Sequence, residues 1–340
     1  MKKVKLTGFY NLLLLIFSCP LFAQQKDTTN YNDFSGYGDA DTKVTKNYCN
    51  QKVNYLSPSK LISIGYELQA PFHINSTRQP DGSKREDDIQ AAHGLRLAYS
   101  TPIISRSNII VNATISHWET GYSTGSAQPA SDLVGNLSNR GLRSTGLQAT
   151  VFKPFNEKTF MILQAQADVN GNHVSFAGIS GDNFTYSGTA IYGWKKSDNL
   201  IWGVGAARTY RLGQLIYVPV LLWNKTFNEK WGAEVLLPAR AVIRRSFGTT
   251  SLLTAGFELE GNAYRLNNIG FLRRGEVKPR LTYERQLKNF IWLSVQTGLR
   301  YNARFDVYST QNPKGDNLPT IKTHLSNPFY FNVGINLVSP

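Results

Sequence analysis

The chain is poor in sulfur, in long apolar runs and in acidic residues. Of its 340 residues two are cysteines, Cys19 and Cys49. Cys19 falls in a stretch that reads as a leader, which leaves Cys49 alone, so no intramolecular disulfide staples the remaining fold. No stretch reaches the ~18 to 20 consecutive apolar residues of a membrane helix. A hydrophobic content of 41% and a mean hydropathy of −0.30 are likewise low for a helical membrane protein. Acidic residues number 23 against 37 basic ones, a formal charge of +14. That charge is dispersed, without a basic run interleaved with stacking aromatics, which argues against nucleic acid as a partner. No Pro/Gly/Ser linker divides the chain, which favours one domain.

What is present begins with an export signal. Lys2, Lys3 and Lys5 precede an apolar run over residues 12–17, and Leu21-Phe22-Ala23 offers a small residue at the cut. Residues 1–23 are read as a signal peptide, and removing its three lysines lowers the charge to +11. Ile16-Phe17-Ser18-Cys19 loosely resembles a lipoprotein cleavage site, though Phe17 and Pro20 fit it poorly. An exported chain without a membrane helix is either soluble beyond the inner membrane or a barrel. Low hydropathy with 12% aromatics suits a barrel, in which every second strand residue faces a polar lumen.

Residues 184–237 carry that reading furthest. They hold four of the six tryptophans, with Trp194 and Trp202 bracketing one polar connection and Trp223 and Trp231 the next. Trp231, Ala233, Val235 and Leu237 share one face while Gly232 and Glu234 take the other, the period-two pattern of a strand. An indole where a strand meets its turn is what a membrane-spanning barrel needs, because the ring settles at headgroup level. Similar alternation recurs from Ile62 to Ile335. Among these positions Leu163, Val235, Leu293 and Ile335 are assigned to lipid, and Gln164, Glu234, Ser294 and Asn336 to the lumen.

The connections give an independent sign. Lys153-x-Phe-Asn-Glu-Lys158 recurs as Lys225-x-Phe-Asn-Glu-Lys230, each joining two strands. One set of connections is short, near 102–107, 154–159, 196–199, 225–230, 248–250 and 287–289. The other includes long polar stretches near 70–92, 119–143, 170–183, 261–275 and 302–327. Short periplasmic turns alternating with longer outer loops is the barrel pattern. Arg211 to Gln214 and Pro238-Ala239 are short outer connections that break it and suggest a low point on the rim.

These strands, the repeated turns, Trp231-Gly-Ala-Glu-Val-Leu-Leu-Pro238 and the closing Phe331-Asn-Val-Gly-Ile-Asn-Leu337 resemble uncharacterised outer-membrane β-barrel proteins of Bacteroidota. The resemblance covers nearly the whole chain after the leader. Val338-Ser339-Pro340 departs from the terminal aromatic common in such barrels, leaving Phe329, Tyr330 or Phe331 for recognition by the assembly machinery. The resemblance implies neither a substrate nor catalytic residues.

Catalytic and metal-binding readings compete with the channel reading. His73, His93, His117, His173 and His324 all lie in or beside proposed outer loops. Ser116, His117, Glu119 and Ser123 form the densest grouping for an acyl-transfer site, but neighbours on a strand point to opposite faces. Glu86, Asp87 and Asp88 follow Lys84-Arg85 and read as a solvated charge run ahead of a calcium site. Gly203-Val204-Gly205 lies inside a strand, which argues against nucleotide binding.

The expectation is therefore an all-β, transmembrane, antiparallel up-and-down β-barrel of about fourteen strands, twelve being the alternative count. Its expected divisions are a signal peptide over 1–23, a periplasmic extension or plug over 24–59 and the barrel over 60–338. It is expected in the cell outer membrane, in contact with lipid, lipopolysaccharide and the barrel-assembly machinery. The lumen candidates are Glu234, Glu258, Glu260, Lys278, Arg280, Glu284 and Arg300. Trp194, Trp202, Trp223, Trp231 and Trp292 are expected at the membrane interface. The leading function is a constricted channel or transporter for a solute that the sequence does not identify, with no cofactor and no catalysis. A non-conducting structural or surface-binding barrel comes second, a membrane-embedded hydrolase third, and a soluble secreted β protein remains an alternative.

Overall fold

The computed structural model describes residues 48–339 apart from 51, 126–127, 174–177 and 314–317. The expected leader and residues 24–47 of the expected extension lie outside the described residues. The strands are β1 (Lys60–Gln69, continued as Phe72–Arg78), β2 (Lys84–Arg106), β3 (Ile109–Thr124), β4 (Leu142–Pro154) and β5 (Thr159–Gly171). Then come β6 (Phe184–Ser197), β7 (Leu200–Thr209), β8 (Ile216–Thr226), β9 (Trp231–Leu237) and β10 (Arg240–Ser246). The last four are β11 (Ser251–Leu266), β12 (Gly270–Lys288), β13 (Ile291–Leu299, resumed as Tyr301–Tyr308) and β14 (Ile321–Leu325, resumed as Phe329–Val338). Each pairs antiparallel with its neighbour in sequence, and β14 pairs back onto β1, with Glu67 opposite Asn332. The result is a closed fourteen-stranded barrel.

Alternation sorts the side chains into two environments. In β1, Ile64, Tyr66 and Leu68 point outward and are exposed, while Glu67 and Gln69 point inward and are buried. The same split repeats around the wall, with Leu147, Leu163, Tyr217, Ile243 and Ile335 among the exposed hydrophobics. An apolar surface that encircles the molecule far exceeds the few hundred Å² a soluble monomer tolerates, so this face belongs in hydrocarbon. Among the described residues no helix is long and apolar enough to cross a membrane.

Near the short turns the outward indoles form a row. Trp194 lies opposite Trp202 and Trp202 opposite Trp223 in the ladders, and the first two stack with centroids 4.4 Å apart. Such pairs contribute about 0.5–1.5 kcal/mol beyond their burial. Trp231 is exposed beside them, with the Arg245 guanidinium 5.2 Å from its ring. Trp292 corrects the sequence reading. It shares the phase of Ser294 and Gln296, is 7% exposed and lies opposite the buried Asn336, so it faces inward and not the interface. Alternation already implied this, since Ile291, Leu293 and Val295 take the outward phase.

The outer side also differs from expectation. The polar stretches near 70–92 and 261–275 are largely strand, and 302–308 and 321–325 extend the strands beyond 301, because β2 runs for 23 residues and β12 for 19, carrying their hairpins high. β9 and β10 have only seven residues each, and the rim is low there. The loop between β3 and β4 carries the helix α1 (Asp132–Arg140), capped by the Ser131 side chain at one end and by Gly141, at φ 64°, at the other. Leu133, Val134 and Leu137 share one face of α1 and are fully buried. They join Ile74, Ile89, Leu272 and Val307 in an apolar cluster that fills the outer half of the bore on the tall side.

Candidate functional site

Midway along the bore the apolar cluster gives way to a buried knot of charge. Glu67 accepts from Arg300, from Arg96 Nη2 at 2.8 Å and from Lys278 Nζ at 3.2 Å. Lys278 also reaches Glu260 at 2.9 Å, and Glu276 accepts from Arg300 and, at 2.7 Å, from Arg274 Nε. Three carboxylates thus meet four cations, with Arg274, Glu276 and Lys278 at alternate positions of β12 and the others one from each strand. Aromatic faces cover the cations: Tyr330 lies 4.4 Å from Lys278 Nζ, and the Trp118 ring lies 4.7 Å from Arg96 Cζ. The charges are thereby paired and roofed, which is the condition for keeping ions out of water.

Of the lumen candidates, Glu260, Lys278 and Arg300 belong to this knot. The other four are also inward but lie apart from it. Arg280 pairs with Glu258 at 2.6 Å, Glu284 with Lys60, and Glu234 with Arg244 Nε at 3.4 Å. Sequence reasoning missed Glu67, Arg96, Arg274 and Glu276. The first two stand in the inward phase of β1 and β2 and were readable there. Arg274 was hidden because residues 261–275 were assigned to a loop, and Glu276 stands at the edge of that stretch.

Residues 48–50 and 52–59 lie at the end of the barrel where the short turns are. Cys49 N–H donates to Asn156 O at 3.0 Å and Asn54 N–H to Asp198 O at 2.8 Å. The Thr226 hydroxyl donates to Asn54 O at 2.6 Å, and the Ser57 hydroxyl to Glu234 Oε1, also at 2.6 Å. The segment therefore passes the β4–β5 and β6–β7 turns, dips to an inward carboxylate of β9 and rejoins the wall at β1. Cys49 and Val53 pack with Phe152, Phe160, Ile191 and Leu222 in a second apolar cluster inside the barrel. Gly193 makes room for it, since a Cβ there would lie 2.3 Å from the Phe160 ring. Burial pushes the Cys49 thiol up in pKa, partly offset by the nearby Lys195 ammonium.

The short side of the barrel keeps an open cavity of about 460 Å³. Its deep wall is apolar, from Ile162, Ile191, Val220, Leu222 and Leu236. Its upper wall carries Gln164, Gln166, Ser187, Thr189 and Asp168. Asp168 accepts from Gln166 Nε2 at 2.8 Å and from Asn262 Nδ2 at 3.4 Å. Ser144, Asn170, Thr185 and Asn262 continue a buried hydrogen-bonded chain from β4 to β11. Glu260 lines the same cavity, so the knot forms its far wall.

The family follows from the sequence of this barrel: residues 66–338 match the model described as Domain of unknown function (DUF6268). The chain belongs to that family. No curated protein matches this DUF6268 chain in sequence. Among solved structures, an outer membrane channel from Pseudomonas putida F1 is 11% identical, with a TM-score of 0.38 over 88% of this chain and 100% of that one. The KdgM porin is 9% identical, with a TM-score of 0.34 over 82% and 99%. The outer membrane phospholipase of Salmonella typhi, a dimer with bound calcium, is 10% identical, with a TM-score of 0.32 over 84% and 94%.

Ser116 and His117 are separated in this DUF6268 barrel. Ser116 lines the cavity, whereas His117 takes the opposite phase and meets Thr145 Oγ1 at 2.8 Å. His73 pairs with Asp88, and His93 Nδ1 lies 2.7 Å from the Tyr66 hydroxyl. Asp87 accepts from the backbone of Ala130 at 2.6 Å and Ser131 at 3.0 Å, anchoring the entry to α1. Gly203 and Gly205 serve packing, since a Cβ at Gly205 would meet Ala190 O at 1.9 Å. His173, beyond the end of β5, is pushed down in pKa by burial and then by Arg143.

Proposed function

We propose that this protein is an outer-membrane channel or transporter held in a constricted state, which takes a small solute into the cavity on the short side of its bore. One observation carries the reading: the bore is obstructed at two levels on its tall side, by the apolar cluster and by the charge knot, yet a cavity of about 460 Å³ persists beside the obstruction. A purely structural barrel of this size has no need for a cavity with an apolar base and a polar upper wall, whereas solute sites combine those features. Residues 52–59, bonded through Ser57 to Glu234, supply a removable stopper at the periplasmic mouth.

Planar-bilayer conductance tests this. The intact protein should give small or intermittent openings, and deletion of residues 24–58 should enlarge them. Glu234→Gln, which weakens the Ser57 contact without removing chain, should raise the frequency of opening. A large, steady conductance from intact protein that neither change alters would replace this reading with an open general porin.

A further inference from the structure

The barrel wall is interrupted on its short side. At about 3.3 Å per residue and a tilt of about 40°, a seven-residue strand rises roughly 18 Å, less than an apolar band about 25 Å tall. β9 and β10 are both of that length. β8 pairs with β9 only up to Leu221 opposite Leu237, so residues 216–220 have no β9 partner. β11 pairs with β10 up to Glu258 opposite Arg240, and Leu259 N–H adds a bond to Ala239 O. Beyond Leu259, β11 continues without a β10 partner. Between these two edges no strand ladder closes the wall above Pro238 and Ala239.

The frame of the gap is built. The turn after β7 closes its top: Arg211 Nη1 donates to Leu259 O at 2.9 Å, and Gly213 lies so near β12 that a Cβ would sit 2.8 Å from the Arg274 backbone. Pro219 stands in the unpaired part of β8, an edge position where a strand tolerates proline. Tyr217, 76% exposed, faces outward beside it. The cavity reaches this frame, because Leu237, Pro238, Ala239 and Leu259 line it together with Gln164 and Thr189 deep inside.

We propose that the gap is a lateral doorway through which an uncharged amphipathic molecule, of the size of a medium-chain alcohol, moves between the outer leaflet and the lumen cavity. The proposal rests on the reading that the cavity holds the solute, and adds its chemistry and its route. The apolar base receives the hydrocarbon, and Gln164, Gln166 and Thr189 offer hydrogen bonds to a polar end. Asp168 and Glu260 are matched by Arg208 and Arg211 on the same walls, so the lining favours neither an anion nor a cation. The exposed Leu237 and Tyr217 put the entrance in contact with lipid.

The test uses full-length protein in lipid nanodiscs, with Cys49→Ser as background and N-dodecylmaleimide dissolved in the bilayer. Val218→Cys is inward beside the gap, Tyr217→Cys is outward beside it, and Ser294→Cys is inward on the far wall. Val218→Cys should label within about threefold of the Tyr217→Cys rate, and Ser294→Cys at least about tenfold more slowly, since thiol reaction follows access. Ala239→Trp, or Ala239→Phe should the larger side chain prevent folding, should slow labelling at 218 but not at 217. So should 1-decanol, competing for the cavity. Labelling at 218 no faster than at 294, or unaffected by both the block and the alcohol, overturns the doorway. That failure, together with a conductance still raised by deleting residues 24–58, would leave the channel standing without a side entrance. Success with an unresponsive conductance would retain the doorway and remove the gated channel.

Discussion

Glu67, in the first strand, accepts a hydrogen bond from the Arg300 guanidinium 233 residues further along the chain. The two strands lie on either side of β14, and Lys278 extends the contact to Glu260 on β11. One carboxylate therefore ties the seam where the barrel closes to the strands that wall the cavity. Removing it leaves Arg96, Lys278 and Arg300 with too few partners. Glu67→Ala is expected to cost roughly 3–5 kcal/mol, the range for breaking a buried ion pair. Glu67→Ala with Arg300→Met should recover much of that, because the pair is then replaced and not broken. Urea unfolding followed by heat-modifiable gel mobility measures both. A single-variant cost below about 1 kcal/mol would mean that water already reaches the knot.

Facing makes a sharper demand on the middle of the wall. Leu163 points out and is exposed, while its neighbour Gln164 points in and lines the cavity. An arginine at Leu163 should cost roughly 2–4 kcal/mol if that position is near the bilayer midplane. At Gln164 the same residue should be tolerated better, since it meets amides and Asp168. Refolding titrations into lipid vesicles compare the two directly, and equal costs would contradict the assignment.

Alternation made the barrel legible because lipid and lumen demand opposite chemistry at successive residues. Where the demand relaxes, the reading loses its grip. The lower inward face carries Phe160, Ile162 and Ile191, so both phases of β5 and β6 are apolar there and nothing marks the interior as dry. The tall hairpins were read as loops because their outer residues are no longer in lipid, and Arg273, Arg274 and Gly275 show no apolar face. Asp87 looked like part of a solvated acidic run, since its hydrogen-bond donors at Ala130 and Ser131 are more than 40 residues away. The gap above β9 and β10 was visible only as two short connections. Its meaning depends on the ladder register, which alternation does not give.

Cys49 offers a reporter for the stopper. It is 6% exposed, its thiol lies 3.6 Å from Thr159 O, and burial raises its pKa, so less thiolate is present at a given pH than for an exposed cysteine. A water-soluble maleimide should label the intact protein slowly at neutral pH, and its rate should climb only above the pH at which a free thiol ionises. Glu234→Gln, by loosening the Ser57 contact, should accelerate labelling. Fast labelling of the unaltered protein would place residues 48–58 outside the mouth in solution.

Charge in the bore decides the last prediction. Arg280 and Glu258 are partly exposed to the lumen, whereas Arg300 is sealed within the knot, so the two arginines control different parts of the same passage. Replacing Arg280 alone frees one carboxylate on a wetted wall and should shift selectivity toward cations with little change in conductance. Replacing both by alanine also removes the cation that spans Glu67 and Glu276, and the repulsion left between those carboxylates admits water to the knot. The double variant should therefore conduct more than either single variant, with stronger cation preference, and the difference should shrink at high salt as the exposed charges are screened. Reversal potentials under a salt gradient give the selectivity, and single-channel records give the conductance. A double variant that conducts no more than the intact protein would locate the constriction elsewhere, at the apolar cluster beneath α1 or at the stopper.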